Sequence, residues 1–230
     1  MREPPRPEPA FTRVDLIVVV AVTAVLSLIP LSAWAASRAR AHLVQCVANL
    51  KTIGWAFHEF AGQYNGRYPM QQLMITTQGG PWGPPLTLDN VLLAASFAVV
   101  SNQLQTPKSV VCPSDSRIAA TNFNMLTSFS HTNVSYFVGI GTSEQSPRMF
   151  LAGDRNLGNS PNGLPYDGVR AVGTNNAFVT WVTNRHDAVG HVLFPDGSVH
   201  SFGTAQLRAA LRDTGDPLNN RFLFSSPNSP

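Results

Sequence analysis

Residues 11–66 read FTRVDLIVVVAVTAVLSLIPLSAWAASRARAHLVQCVANLKTIGWAFHEFAGQYNG, and this stretch decides the fold. From Leu16 to Ala36 it carries no charged side chain. At about 1.5 Å of rise per residue a helix of this length crosses a hydrocarbon core about 30 Å thick. Asp15 stands at the entrance to the run, where a carboxylate is costly in lipid and calls for a partner or a task. Pro30, inside the run, kinks or locally unwinds such a helix. Beyond Arg38 the apolar positions Leu43, Val47, Leu50, Gly54, Phe57, Ala61 and Tyr64, with Cys46, Ile53 and Phe60 beside them, follow helical spacing. Asn65-Gly66 supplies a helix stop, and Pro69 prevents continuation. The pattern predicts one long helix, apolar at first and amphipathic afterwards. Two plainer readings of the apolar run compete: a signal peptide cut near Ala33-Trp34-Ala35, and an ordinary signal anchor.

The rest of the chain is poor in charge and rich in turns. Charged residues make up 13%, with 18 Pro and 17 Gly. Sixteen basic residues against thirteen acidic ones, with no Lys/Arg run, make no nucleic-acid footprint, and no specific nucleic-acid partner is expected. Gln78 to Pro85 is a turn-dense loop, followed by a helix over 88–101 with Thr87 or Asp89 as cap. Strands are predicted at 109–112, 134–140 and 148–152, then at 178–182 and 191–194 as central strands. A loop runs from Leu157 to Gly168. Phe194-Pro195-Asp196-Gly197-Ser198-Val199 reads as a hairpin around an Asp-Gly turn. A short amphipathic helix follows from Gly203-Thr204, with Leu207, Ala210 and Leu211 on one side. Helices first and strands later predict an α+β fold, the long helix packed on an antiparallel sheet. The expected organisation is a leader over 1–10, a membrane part over 11–36, an amphipathic part over 37–66, a globular head over 67–224 and a disordered tail over 225–230.

Phe11 to Val19 resembles the prepilin cleavage and methylation motif, in which an aromatic residue opens the mature chain and an acidic residue follows four places later. The chain has Ala10 where that family has Gly, and Asp15 where it has Glu. Tyr64-Asn65-Gly66-Arg67-Tyr68-Pro69 is similar to the segment that ends the long helix in major pseudopilins of type II secretion. His186, nine intervening residues and Asp196-Gly197 resemble the H-x9-DG signature of a large subfamily of bacterial pilin-like proteins. Thr106-Pro107-Lys108, Val111 to Asp115, Ser135 to Gly139 and Leu151 to Asn156 also look like that subfamily.

The resemblance implies a structural subunit, not an enzyme. A prepilin peptidase would cut between Ala10 and Phe11 and methylate the new amine. Asp15 would then pair with the N-terminal amine of a neighbouring subunit as helices bundle into a pseudopilus or type IV pilus-like filament. The implied partners are the peptidase, other pilin or pseudopilin subunits and an inner-membrane assembly platform, serving protein secretion, with adhesion and DNA uptake as the alternative services. The implied location is the inner membrane, single-pass, with the N-terminus cytoplasmic and the head periplasmic. In that oxidising compartment Cys46 and Cys112 are expected to pair, the alternative being two separately buried thiols.

The competing function is a membrane-anchored periplasmic binding or metal-dependent hydrolytic module. His186, His191, His200 and Asp196 could meet across hairpin strands as metal ligands, against a turn role for Asp196 and histidines on alternate faces. Asp213 and Asp216, with Asn219 and Asn220, are calcium candidates by analogy with major pseudopilins, against a solvated loop without EF-hand spacing. No other cofactor is expected. His58 reads as a solvated helix residue rather than a ligand or a pH switch. No nucleophile elbow or phosphate loop is present, and Cys112 beside Pro113 is not placed as a reactive thiol.

Overall fold

The computed structural model describes residues 12–77, 89–183, 188–217 and 219–226, with the side chains of 25–36 and 39 outside the description. The chain divides into two compact units, Met1–Ala41 and His42–Pro230.

Helix α1 runs from Arg13 to Gln63. A reciprocal capping box opens it. The Asp15 amide donates to Thr12 Oγ1 (3.3 Å), and the Asp15 carboxylate accepts from the Thr12 amide (2.9 Å) and hydroxyl (2.7 Å). At its other end Asn65 (φ 55°) and Gly66 (φ 74°) enter the left-handed region, and the Gly66 amide closes back on the Ala61 carbonyl at 2.9 Å. Pro69 does more than stop the helix: it opens α2 (Pro69–Thr77), where its fixed φ suits the first turn. Among the described residues no helix is long and apolar enough to cross a membrane. Most of the apolar run 16–36 has its side chains outside the described residues.

In the second unit α3 (Asp89–Ala98) and α4 (Ser101–Leu104) precede the strands, and α5 (Thr204–Asp213) lies between the last two. Six strands form one antiparallel sheet in the order β4 (Gly168–Ala171), β8 (Arg221–Phe224), β1 (Tyr136–Gly139), β2 (Ala152–Asp154), β6 (Val189–Leu193) and β7 (Val199–Gly203). A separate pair joins β3 (Leu157–Gly158) to β5 (Thr180–Trp181). The class is α+β.

The central strands β8, β1, β2 and β6 are buried on both faces, as their alternation shows. Tyr136, Val138, Leu193 and Leu223 face a cluster built from Cys46, Leu50, Ile53, Phe57 and Ala61 of α1, with Leu93 and Phe97 of α3. Their neighbours Phe137, Val192, Phe222 and Phe224 face the opposite cluster, with Phe150, Trp181 and Leu207 and Leu211 of α5. Period-two alternation sends successive side chains into two different cores, so the strands read as continuous apolar runs. Gly54 lets α1 approach closely: a Cβ there would stand 3.0 Å from Leu193 Cδ1.

Several boundaries differ from the sequence-based expectation. Residues 109–112 are not a strand. Thr106 accepts from the Lys108 amide and Pro107 sits in the first turn, so Pro107–Val110 winds as a 3-10 helix, after which Val111 is extended. The strand expected at 148–152 begins at Ala152, because the Met149 amide closes a turn on the Ser146 carbonyl. Residues 178–182 contribute only β5 of the small sheet, and the expected loop 157–168 begins with its partner β3. The tail is not free from Ser225: that side chain is fully buried and donates to the Val134 carbonyl at 3.2 Å, and the Ser226 carbonyl accepts from Arg117 at 2.7 Å. Residues 227–230 lie outside the described residues.

Candidate functional site

The disulfide forms. Cys46 on α1 and Cys112 after the 3-10 turn are bonded, with Cα atoms 5.1 Å apart and both residues buried. Beside it Gln45 donates to Asn49 at 3.0 Å, and Asn49 donates to the Val111 carbonyl at 2.9 Å, so side-chain hydrogen bonds also hold the segment of Cys112 to the helix.

The short motifs singled out in the sequence converge in space. The turn after Cys112 closes through the Asp115 amide on the Cys112 carbonyl (2.9 Å) and places the Asp115 carboxylate inside the head. Arg155, which follows β2, donates to that carboxylate at 2.9 Å, and Arg117 stands 3.8 Å from it. Arg117 also donates to the carbonyls of His131 and Ser226, joining the 3-10 turn at 131–133 to the end of β8. One residue before Arg155, Asp154 accepts from the His191 amide (2.8 Å) and lies 2.7 Å from its Nδ1. Asn156 donates to the carbonyls of Val182 and Val189. In the interior the Asp115 carboxylate faces two guanidiniums, and the Asp154 carboxylate holds the buried His191.

Such a cluster is costly to desolvate, and its ion pairs and hydrogen bonds offset that cost. Its chemical capacity is positional: it joins segments of the head that are far apart in sequence. Burial pushes the Tyr136 hydroxyl well above its ordinary pKa, and the carboxylates of Asp154 and Asp115 push it further, with the nearby Asn49 side chain opposing them. Burial, then Arg117, lowers the pKa of His131.

The other predicted site residues scatter. Asp196 and Gly197 form the hairpin turn: Asp196 accepts from the Ser198 amide at 2.8 Å, and Gly197 takes φ 79°. The Ser198 hydrogen bonds lower the Asp196 pKa. His186 lies outside the described residues, as do Ala10 and Phe11. His191 and His200 part company. His191 is buried against Asp154, whereas His200 is exposed, 3.1 Å from Ser198 and stacked on Phe202.

Asp213 is exposed and 3.8 Å from Arg148; Asp216 is buried. The loop they share is organised by Asn220, which donates to the Leu211 and Gly173 carbonyls and accepts from Thr214. Among the described residues no three His, Cys, Asp or Glu side chains gather as a metal site. His58 is not simply solvated: its Nδ1 is 3.1 Å from Glu144 and its ring meets Tyr68 edge-on. Asp15 is occupied by the capping box of α1, a local role the sequence reading did not assign to it.

Among the described residues the head carries open depressions. A groove of about 580 Å³ is lined by Gln45, Asn49, Thr52, Lys108, Val111 and Ala119 among others. A smaller one of about 420 Å³ lies between the start of α3 and β4, where Asp89 accepts from the Val169 amide. Sequence reasoning missed Arg117, which belongs to none of the short motifs, although its partner Asp115 was in view. Comparison with protein-family models, with curated proteins and with solved structures finds no match.

Proposed function

We propose that the chain is a pilin-like structural subunit, cut between Ala10 and Phe11, held in the inner membrane by the first part of α1 and assembled through that helix into a pseudopilus or pilus-like filament. The observation that carries the reading is α1 itself. It is one helix of 51 residues that starts two positions after Phe11. Its apolar later face, from Cys46 to Ala61, packs on an antiparallel sheet. The disulfide is in keeping with a head that matures in an oxidising compartment. The buried network adds a second line of support: the motif residues Asp115, Asp154, Arg155 and Asn156 are spent on joining segments of the head, as expected where a head must stay rigid inside a filament.

In this reading Asp15 has two successive tasks. It caps α1 while the subunit is stored, and it meets a neighbour's amine on assembly. The peptidase, sister subunits and an inner-membrane platform are the partners, and secretion is the service. Intact mass and N-terminal sequencing of protein extracted from membranes test the first step. A chain beginning at a methylated Phe11 is the expected result. A chain still beginning at Met1 in cells with active prepilin peptidase, or one cut after Ala35, overturns the proposal.

A further inference from the structure

Ser135, the residue before β1, lies between two other stretches of the chain. Its amide donates to the Val110 carbonyl (2.9 Å), and its carbonyl accepts from the Arg155 amide (3.1 Å). The second bond continues the β1–β2 register one pair beyond Tyr136 and Asp154. The Ser135 and Arg155 side chains therefore leave the same face as direct cross-strand neighbours, with Cβ atoms about 5 Å apart. From there Arg155 Nε reaches the Asp115 carboxylate at 2.9 Å, in the segment that follows Val110. Its side chain thus spans from β2 to the stretch on the far side of Ser135.

Two donors at this crossing are left over. The Arg155 side chain is 7% exposed and Ser135 2%, and among the described residues neither Arg155 Nη1 nor Ser135 Oγ has a hydrogen-bond partner. A guanidinium N–H buried without an acceptor is more costly than a neutral one, and native interiors supply an acceptor. The carbonyls nearby are engaged: those of His131 and Ser226 accept from Arg117, and that of Val134 accepts from Ser225. The Arg117 guanidinium also stands 3.8 Å from the carboxylate that Arg155 uses, so two cations converge here on Asp115. Asp154 leaves the opposite face of the strand, where it holds His191.

We infer that the head binds a monovalent anion, chloride in ordinary salt solution, between Arg155 Nη1 and Ser135 Oγ. Both groups donate, and an anion accepts from both with no proton of its own to place. A water in that position would need acceptors for two protons beside two guanidiniums. The bonds to the ion are charge-assisted, and they complete the junction of β1, β2 and the segment of Cys112. The site lies wholly within the second unit and stands whether or not residues 16–36 span a membrane.

The test is a thermal melt of the full, oxidised chain in detergent, with sodium gluconate exchanged for sodium chloride at constant ionic strength so that screening is unchanged. An ion bound only by the folded state raises the folded-to-unfolded ratio tenfold for each tenfold of ion above its dissociation constant. The midpoint is expected to rise by about 3–6 °C per tenfold of chloride, and bromide should act in the same way. Ser135→Ala should remove most of that rise, whereas Ser201→Ala on the exposed part of β7 should leave it intact. Anomalous scattering from wild-type crystals grown in bromide should place an ion against Arg155. A midpoint indifferent to the exchange overturns the inference and leaves water as the occupant. A chloride dependence undiminished by Ser135→Ala overturns it as well, as does a bromide map without a peak at Arg155. Should Ser135→Ala fail to fold, the wild-type bromide map decides. A mature chain that begins at Met1 would end the pilin reading and leave this site untouched.

Discussion

The disulfide offers the most quantitative test of the head. Replacing both cysteines, Cys46→Ala with Cys112→Ala, removes a link across 66 residues of sequence separation. In the chain-entropy treatment, closing a loop of that length lowers the entropy of the unfolded chain by about 15 cal/mol/K, or about 4 kcal/mol at 25 °C. Each kcal/mol is worth about 2–4 °C in a domain of this size, so the thermal midpoint should fall by about 10 °C. The sulfur atoms sit in the core cluster of α1 and α3, and their packing loss adds to the fall. The asparagine bridge from Asn49 to Val111 works the other way, since it keeps the two segments together after the bond is gone. The assay is a thermal melt of the detergent-extracted chain, oxidised and after reduction, beside the double variant. Reduction should lower the wild-type midpoint toward that of the variant, stopping short by the packing that the retained sulfur atoms supply, and leave the variant unmoved. Three melts agreeing within about 2 °C, roughly 1 kcal/mol, would refute the idea that the bond restrains the unfolded chain.

Asp115→Ala should destabilise the head by about 3–5 kcal/mol in urea, because it removes the buried carboxylate that Arg155 and Arg117 share. A loss below about 1 kcal/mol, the range of an exposed pair, would show that solvent already reaches the guanidiniums. Asp15→Asn separates capping from charge. An amide oxygen can still accept from Thr12, so helix content should hold while filament incorporation fails, and Asp15→Glu should keep both; normal incorporation of the Asn variant removes the ion-pair role.

The depressed pKa of His131 means that the fold disfavours its charged form. Stability from this group is complete above its ordinary 6.5 and is lost as pH falls toward the lowered value, so melts at pH 7.5 and 5.5 should differ less in His131→Gln. Asp196 has the same sign in a lower window. Its contribution is present above 3.8 and disappears below, and Asp196→Ala should flatten the acid limb of the stability profile.

Much of this protein was written locally. The helix stop at Asn65-Gly66, the Asp-Gly hairpin, the amphipathic face from Cys46 to Ala61 and the helix after Gly203 follow from φ preferences and hydrophobic periodicity. Those forces act within a few residues, and the structure agrees with each. The disulfide needed a compartment as well as two cysteines, and the resemblance to exported pilin-like proteins supplied it. What only the tertiary structure decided is where polar and short apolar segments go. Val110-Val111-Cys112 has strand composition, but the Thr106 cap and Pro107 wind its first part, and no strand of the sheet pairs with it. Phe178 to Val182 is apolar enough for a central strand, yet the sheet interior was already taken by β1, β2, β6 and β8.

His191 and Asp154, which lie far apart in sequence, meet because β2 and β6 pair in a register that no local signal specifies. Arg117 finds the Ser226 carbonyl only after β8 has been laid beside β1, and with that bond a tail that composition marks as loose becomes part of the fold. A side chain's own preferences settle its turn or its helix face, but which buried charge neutralises it depends on long-range pairing of strands.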